Sequence, residues 1–267
     1  QYEPKLKKVY DIILAEGCNE DGLMYDELGR KSGRLSDGWG YNYVGFLCFD
    51  MATGIETYRP MVAATLRNLE KPLYRDYPWE GASIDGFADS IEGALYLLNR
   101  VPVEEGFAWV DRETRNNLVD HPSRLEHGDL WGTMKLQSNG VRTVLMHSLM
   151  HTQGLIARPW RQGLQLGAAP GNGGGIVIAI RAREDYNGVL EFDIPRHRIY
   201  LGFDKDWPRM NTLPEWYTVE PETVYVVRRG DAPPRKYTGR QLHAGLEVSV
   251  AAGQLLRITV TKDEHRR

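Results

Sequence analysis

Along the first 160 or so residues the apolar positions recur every three to four residues, the period of a helix with one buried face. Leu6, Val9, Ile12 and Ile13 mark a first helix between Pro4 and Gly17, and a glycine-rich polar stretch to Asp37 then breaks the pattern. A second helix is predicted from about Gly40 to Ala52, dense in aromatic residues and stopped by Thr53-Gly54. A third runs from Glu56 to Leu69, and a fourth from Gly86 to Asn99 with Ala88, Ile91, Leu95 and Leu98 as its stripe. The fifth spans Val103 to about Leu118, and the sixth, Gly140 to Thr152, is closed by Gly154. Six such helices form three helical hairpins.

Past Arg161 glycines crowd the chain and the apolar period falls to two. Strands are expected at Ile176–Ile180, through the alternating Leu190, Phe192 and Ile194, and over Arg198–Phe203, Thr223–Val227 and Leu255–Thr261, with a turn at Asn187-Gly188. Short strands at this spacing predict an antiparallel β-sandwich. The chain therefore reads as an α+β multidomain protein, helical over 1–162 and a β-sandwich over 163–267.

Composition narrows this picture. With 42% hydrophobic and 26% charged residues, and 33 Lys+Arg against 36 Asp+Glu, the chain is an ordinary globule, which excludes a disordered tail and a polybasic nucleic-acid binder. No run approaches the roughly 18 apolar residues of a membrane span, so no membrane partner is expected and the chain reads as soluble. Cys18 and Cys48 are too few for a disulfide framework or a four-cysteine zinc site. The chain starts at Gln1 without an apolar leader, so it is read as processed, trimmed or cut from something longer. The compartment stays open, with a secreted or periplasmic location favoured over the cytoplasm. The 14 Tyr and 7 Trp against 6 Phe offer flat faces with polar edges, which suit both sugar rings and half-buried packing.

Three segments bring chemistry. In Asp85-Gly86-Phe87-Ala88-Asp89-Ser90-Ile91-Glu92, helical geometry places Asp85, Asp89, Glu92 and Tyr96 within an arc of about 60°. Carboxylates so close need solvent, a cation, an arginine, or a use for a raised pKa, such as a general acid beside an ionised partner. The plain alternative makes Asp85 the helix cap, Asp89 a first-turn acid and Glu92 solvated. In Asp37-Gly38-Trp39-Gly40-Tyr41-Asn42-Tyr43 one acid stands among large aromatics, and the flanking glycines allow a ligand close to the backbone, although Asp37 can equally cap the second helix. The loop Glu126-His127-Gly128-Asp129-Leu130-Trp131 adds a histidine able to act as acid or base. His147 and His151 stand four apart but lack the glutamate of a zinc-protease motif, so no metal and no cofactor are expected.

Helices preceded by ligand-rich loops, the two segments beginning at Asp37 and Asp85, and the abrupt change to strands together resemble the C-terminal portion of α/α-toroid carbohydrate-active enzymes. These are the six-hairpin glycosidases and the toroid polysaccharide lyases. The resemblance implies an incomplete α/α-toroid of three hairpins followed by a sandwich, with a sugar groove at one end of the ring. Its matching candidates are Asp37, Tyr41, Asp85, Asp89, Glu92, His127 and Asp129 for chemistry, and Trp39, Tyr41, Tyr43, Trp79 and Trp131 for holding a carbohydrate. A full toroid has about twice these helices, so another chain or a preceding half is expected to complete it. The leading expectation is glycoside hydrolysis, with Asp89 or Glu92 as acid and Asp37 or Asp85 as base. The alternatives are a uronate lyase using Tyr41 or His127, and a glycan-binding or scaffolding module without turnover.

Overall fold

The computed structural model describes residues 2–31, 33–119, 136–211 and 213–263. The chain is mixed α+β and divides into two compact units, Gln1–His147 and Ser148–Arg267. None of the helices among the described residues is long and apolar enough to cross a membrane.

The first unit is helical: α1 (Glu3–Gly17), α2 (Trp39–Thr53), α3 (Arg59–Asn68), α4 (Ile84–Leu98), α5 (Glu104–Glu113) and α6 (Val141–Thr152), whose last turns enter the second unit. α1 does not dock by its apolar stripe, since Leu6, Val9 and Ile12 are 45%, 50% and 38% exposed. It docks through Tyr10, whose ring lies 4.4 Å from Phe46 and edge-on to Phe49 and Tyr58. The start of α3 is set by a distant residue. Buried Asp50 of α2 accepts the backbone N–H groups of Thr57, Tyr58 and Arg59 at 2.8–3.0 Å, satisfying donors that a helix start leaves without partners.

The expected fifth helix changes character at Glu113, where regular α structure gives way to a π-helical turn, Thr114–Val119. Glu113 is fully buried there and accepts from the Asp76 backbone, Arg112 and Asn117. The core of this unit is aromatic, with Trp39, Trp79, Trp109, Tyr43, Tyr58, Tyr74 and Phe46 all essentially inaccessible. Each such ring contributes about 1.5–3 kcal/mol from burial. Both cysteines are half-buried free thiols.

The second unit carries two antiparallel sheets. One has the order β1-β4-β7 and the other β2-β3-β8-β5-β6, where the strands are β1 (Ile156–Arg158), β2 (Leu164–Pro170), β3 (Ile176–Ala182), β4 (Tyr186–Glu191), β5 (Val224–Arg229), β6 (Arg235–Thr238), β7 (Leu246–Val250) and β8 (Leu255–Lys262). Alternation drives both. Ile176, Ile178 and Ile180 of β3, Leu246, Val248 and Val250 of β7, and Ile258 and Val260 of β8 turn inward to a single hydrophobic core fed by both sheets. Two short helices, α7 (Arg196–Ile199) and α8 (Gly239–Ala244), complete the unit, the latter opened by a capping box between Thr238 and Gln241.

Two expectations fail here for local reasons. Asn187-Gly188 is no turn but the interior of β4, facing Ser249 and Val248 of β7. Its glycine is required by crowding, because a Cβ would lie 2.3 Å from the Tyr186 hydroxyl and 2.4 Å from the Arg158 carbonyl. The strand expected over Arg198–Phe203 is the helical turn α7 and its exit. Pro195 stands at its N-cap, and Ile199, Tyr200 and Leu201, whose apolarity suggested a strand, are exposed. The aromatic connection that follows is tied to its own unit. Arg196 donates to Asn211 Oδ1 at 2.8 Å and the Leu213 carbonyl at 3.0 Å, while Tyr217 packs on the core.

Candidate functional site

The acidic strip of α4 is assembled by helix contacts. Ser83, not Asp85, caps the helix, its Oγ accepting from Gly86 N at 2.9 Å. Asp85 is therefore a half-buried first-turn residue, and one and two turns on come half-buried Asp89 and fully buried Glu92. Against this strip lies α2, at a distance only glycines permit: a Cβ on Gly40 would be 2.7 Å from the Gly93 backbone. The close crossing brings the Tyr41 hydroxyl to Asp89, donating to Oδ1 at 3.1 Å, and lets Trp39 Nε1 donate to Ser90 Oγ at 2.8 Å. The glycine beside Tyr41 thus serves helix-on-helix contact.

The segment entering α6 supplies the rest. Asn139 Nδ2 donates to Asp85 Oδ1, Thr143 Oγ1 donates to the Ala88 carbonyl, and the Arg142 guanidinium meets Glu92 Oε2 at 2.7 Å. Glu92 is thus ion-paired rather than solvated, and its charge in turn holds the Arg142 pKa up. Three carboxylates of one strip accordingly have three different surroundings, set by an amide, a phenol and a guanidinium.

Asp89 is the perturbed member. Its pKa is raised to about 6 as the net of burial, which pushes it up most, the Tyr41 hydrogen bond, which pulls the other way, and the charges of Asp85, Asp37 and Glu92, which add to the rise. Asp37 is also raised, first by burial and then by the charge of Glu80. It does not cap α2: the N-cap is Gly38, without a side-chain bond. Asp37 and the α4 strip thus share one field, in which Asp89 can keep a proton at mildly acidic pH.

Of the expected sugar-holding aromatics, Tyr41 is half-buried and bonded to Asp89. Trp39, Tyr43 and Trp79 have no exposed surface and build the wall behind the strip. His127, Asp129 and Trp131 lie outside the described residues. His147 Nε2 pairs with Asp111 Oδ1 at 2.7 Å, and His151 is exposed. Sequence reasoning missed Asn139 and Arg142. The countercharge that three stacked acids require pointed to an arginine without saying which one.

Compared with protein-family models, curated proteins and solved structures, the chain matches none.

Proposed function

We propose that this chain cleaves glycosidic bonds in a polysaccharide or oligosaccharide by hydrolysis, with Asp89 as general acid and Asp37 or Asp85 as the carboxylate that activates water. The observation that carries this reading is Asp89 itself, a half-buried carboxyl held to about pKa 6 among other acidic side chains. A carboxyl that keeps its proton to that pH is what protonating a leaving glycosidic oxygen requires. Glu92, neutralised by Arg142, is a positioning residue in this scheme. Tyr41 keeps the Asp89 carboxyl oriented and offers its ring edge to a bound sugar.

We read the helical unit as part of an α/α-toroid and the second unit as a β-sandwich. The single core fed by both sheets supports the sandwich. The exposed stripe of α1 is what a further helical layer of such a ring, from this or another chain, would cover. The Tyr41–Asp89 hydrogen bond also supports a second reading, a lyase in which the phenol removes the proton alpha to a uronate carboxylate.

The test is product analysis of the full chain on neutral and uronate-containing glycans. New reducing ends without ultraviolet absorbance from unsaturated uronates, lost in Asp89→Asn, are expected. Absorbance growing with cleavage would transfer the site to the lyase reading. Saccharide binding that persists in Asp89→Asn and Glu92→Gln with no turnover on any glycan would overturn both and leave a binding module.

A further inference from the structure

The second unit contains a cluster that glycan cleavage does not use. Between α7 and β5 the chain runs from Tyr200 to Thr223 with neither helix nor strand among the described residues. Such a stretch needs ties to stay ordered, because backbone groups outside regular structure must find other partners. Its ties converge on one place. His197 on α7, Asp206 early in the connection and Glu215 late in it each present a ligand-type atom, an imidazole nitrogen or a carboxylate oxygen, and these lie within 4.8 Å of one another.

Glu215 is the buried centre, 9% exposed. Its Oε1 accepts from His197 N at 2.7 Å and Asn211 Nδ2 at 2.5 Å, which fixes the carboxylate plane and leaves Oε2 facing His197 Nδ1 at 2.8 Å. A neighbouring acid, Asp193, is already matched, both oxygens accepting from Arg196 Nε at 3.0 Å. Arg198, next to His197 in the chain, is bonded to Glu220, and Lys205 lies 5.7 Å from the centre of the Trp207 ring.

We propose that His197, Asp206 and Glu215 form a structural site for a divalent transition-metal ion, zinc being the best fit to one imidazole and two carboxylates. Zinc–ligand bonds of about 2.0–2.2 Å put tetrahedral ligand atoms roughly 3.3–3.5 Å apart. The Nδ1 and Oε2 atoms, 2.8 Å apart, need to part by only about half an ångström to admit the ion, and the Asp206 carboxylate offers its oxygen within 4.8 Å of the ligand-type atoms of both. The hydrogen bonding that holds metal ligands in place is present in Asn211 and the His197 backbone, which fix Glu215 from behind. The ion clips α7 to two separated points of the connection, and its effect is on stability, since a ligand that binds only the folded chain raises its unfolding midpoint. This holds whether or not the helical unit cleaves glycans.

The test is zinc titration of the tag-free full chain after chelator dialysis, read by calorimetry and by the thermal unfolding midpoint. One ion per chain and a midpoint that rises with zinc are expected. Asp206→Asn, on a half-buried residue that removes a ligand charge without changing side-chain size, is expected to weaken zinc at least tenfold while the zinc-free circular dichroism stays that of the native chain. His197→Gln serves as the second variant. Asp111→Asn, which removes the carboxylate beside His147, leaves zinc affinity unchanged. No saturable zinc, unchanged affinity in Asp206→Asn, or loss of zinc in Asp111→Asn would each overturn the proposal.

Discussion

At the scale of single residues, the raised pKa of Asp89 is a statement about stability as well as chemistry. A carboxyl whose folded-state pKa is about 6 binds its proton more tightly folded than unfolded. Its contribution is therefore fully present below the ordinary carboxyl pKa near 4 and is lost as pH rises through about 6. Asp89→Asn, which keeps the shape without the charge, is expected to raise the stability at pH 8 by an amount on the order of 1–3 kcal/mol, seen as a higher unfolding midpoint, and to change it little at pH 4. Thermal melts of the two proteins at both pH values check this. An equal shift at both would mean that ionisation of Asp89 costs nothing. Asp50 makes the opposite case, a buried acid whose three backbone donors use its charge. Asp50→Ala is expected to cost about 2–4 kcal/mol in chemical denaturation, because it strips α3 of its cap and leaves buried N–H groups unmet.

At the scale of elements, the crossing of α2 on α4 places the chemistry. Gly93→Ala puts a Cβ 2.9 Å from Gly40 Cα, against backbone that cannot step aside. We expect a loss of about 1–3 kcal/mol and, by separating Tyr41 from Asp89, a downward drift of activity beyond what the lost stability explains. Denaturant midpoints together with rates on the folded fraction separate the two effects. The six helices α1 to α6 were legible in sequence because each carries an apolar run with recognisable stops, and their starts and ends fall within a few residues of those expected, α5 with its π-helical continuation, whereas the short α7 and α8 were not foreseen. What periodicity could not show was which face docks. The stripe of α1 is exposed while Tyr10 makes its contact, since docking depends on a partner surface that no local pattern encodes. The strands β1 and β6 were missed because they are short, and β2 because it carries glycine and alanine where a branched residue would have announced a strand; β7, Leu246–Val250, alternates cleanly and was overlooked although its pattern was legible. The acidic strip was legible as geometry, whereas Asn139 and Arg142, some fifty residues away in sequence, had no local mark.

At the scale of the whole molecule, each unit holds its own core, aromatic in the helical unit and largely aliphatic in the second. Ile178 is inaccessible at the centre of β3. Ile178→Ala is expected to cost about 2–5 kcal/mol, seen as a lower denaturant midpoint, without shifting the pH dependence set by Asp89. The helical unit owes its function in this account to one proton on one carboxyl. The most direct test is the pH–rate profile of glycan cleavage at saturating substrate, measured for the native chain and for Asp89→Asn. The account predicts a rate that falls about tenfold per pH unit above about 6 in the native chain, and a hundredfold or greater loss in the variant. A variant that cleaves at the native rate, or a native profile flat through pH 6–8, would contradict it.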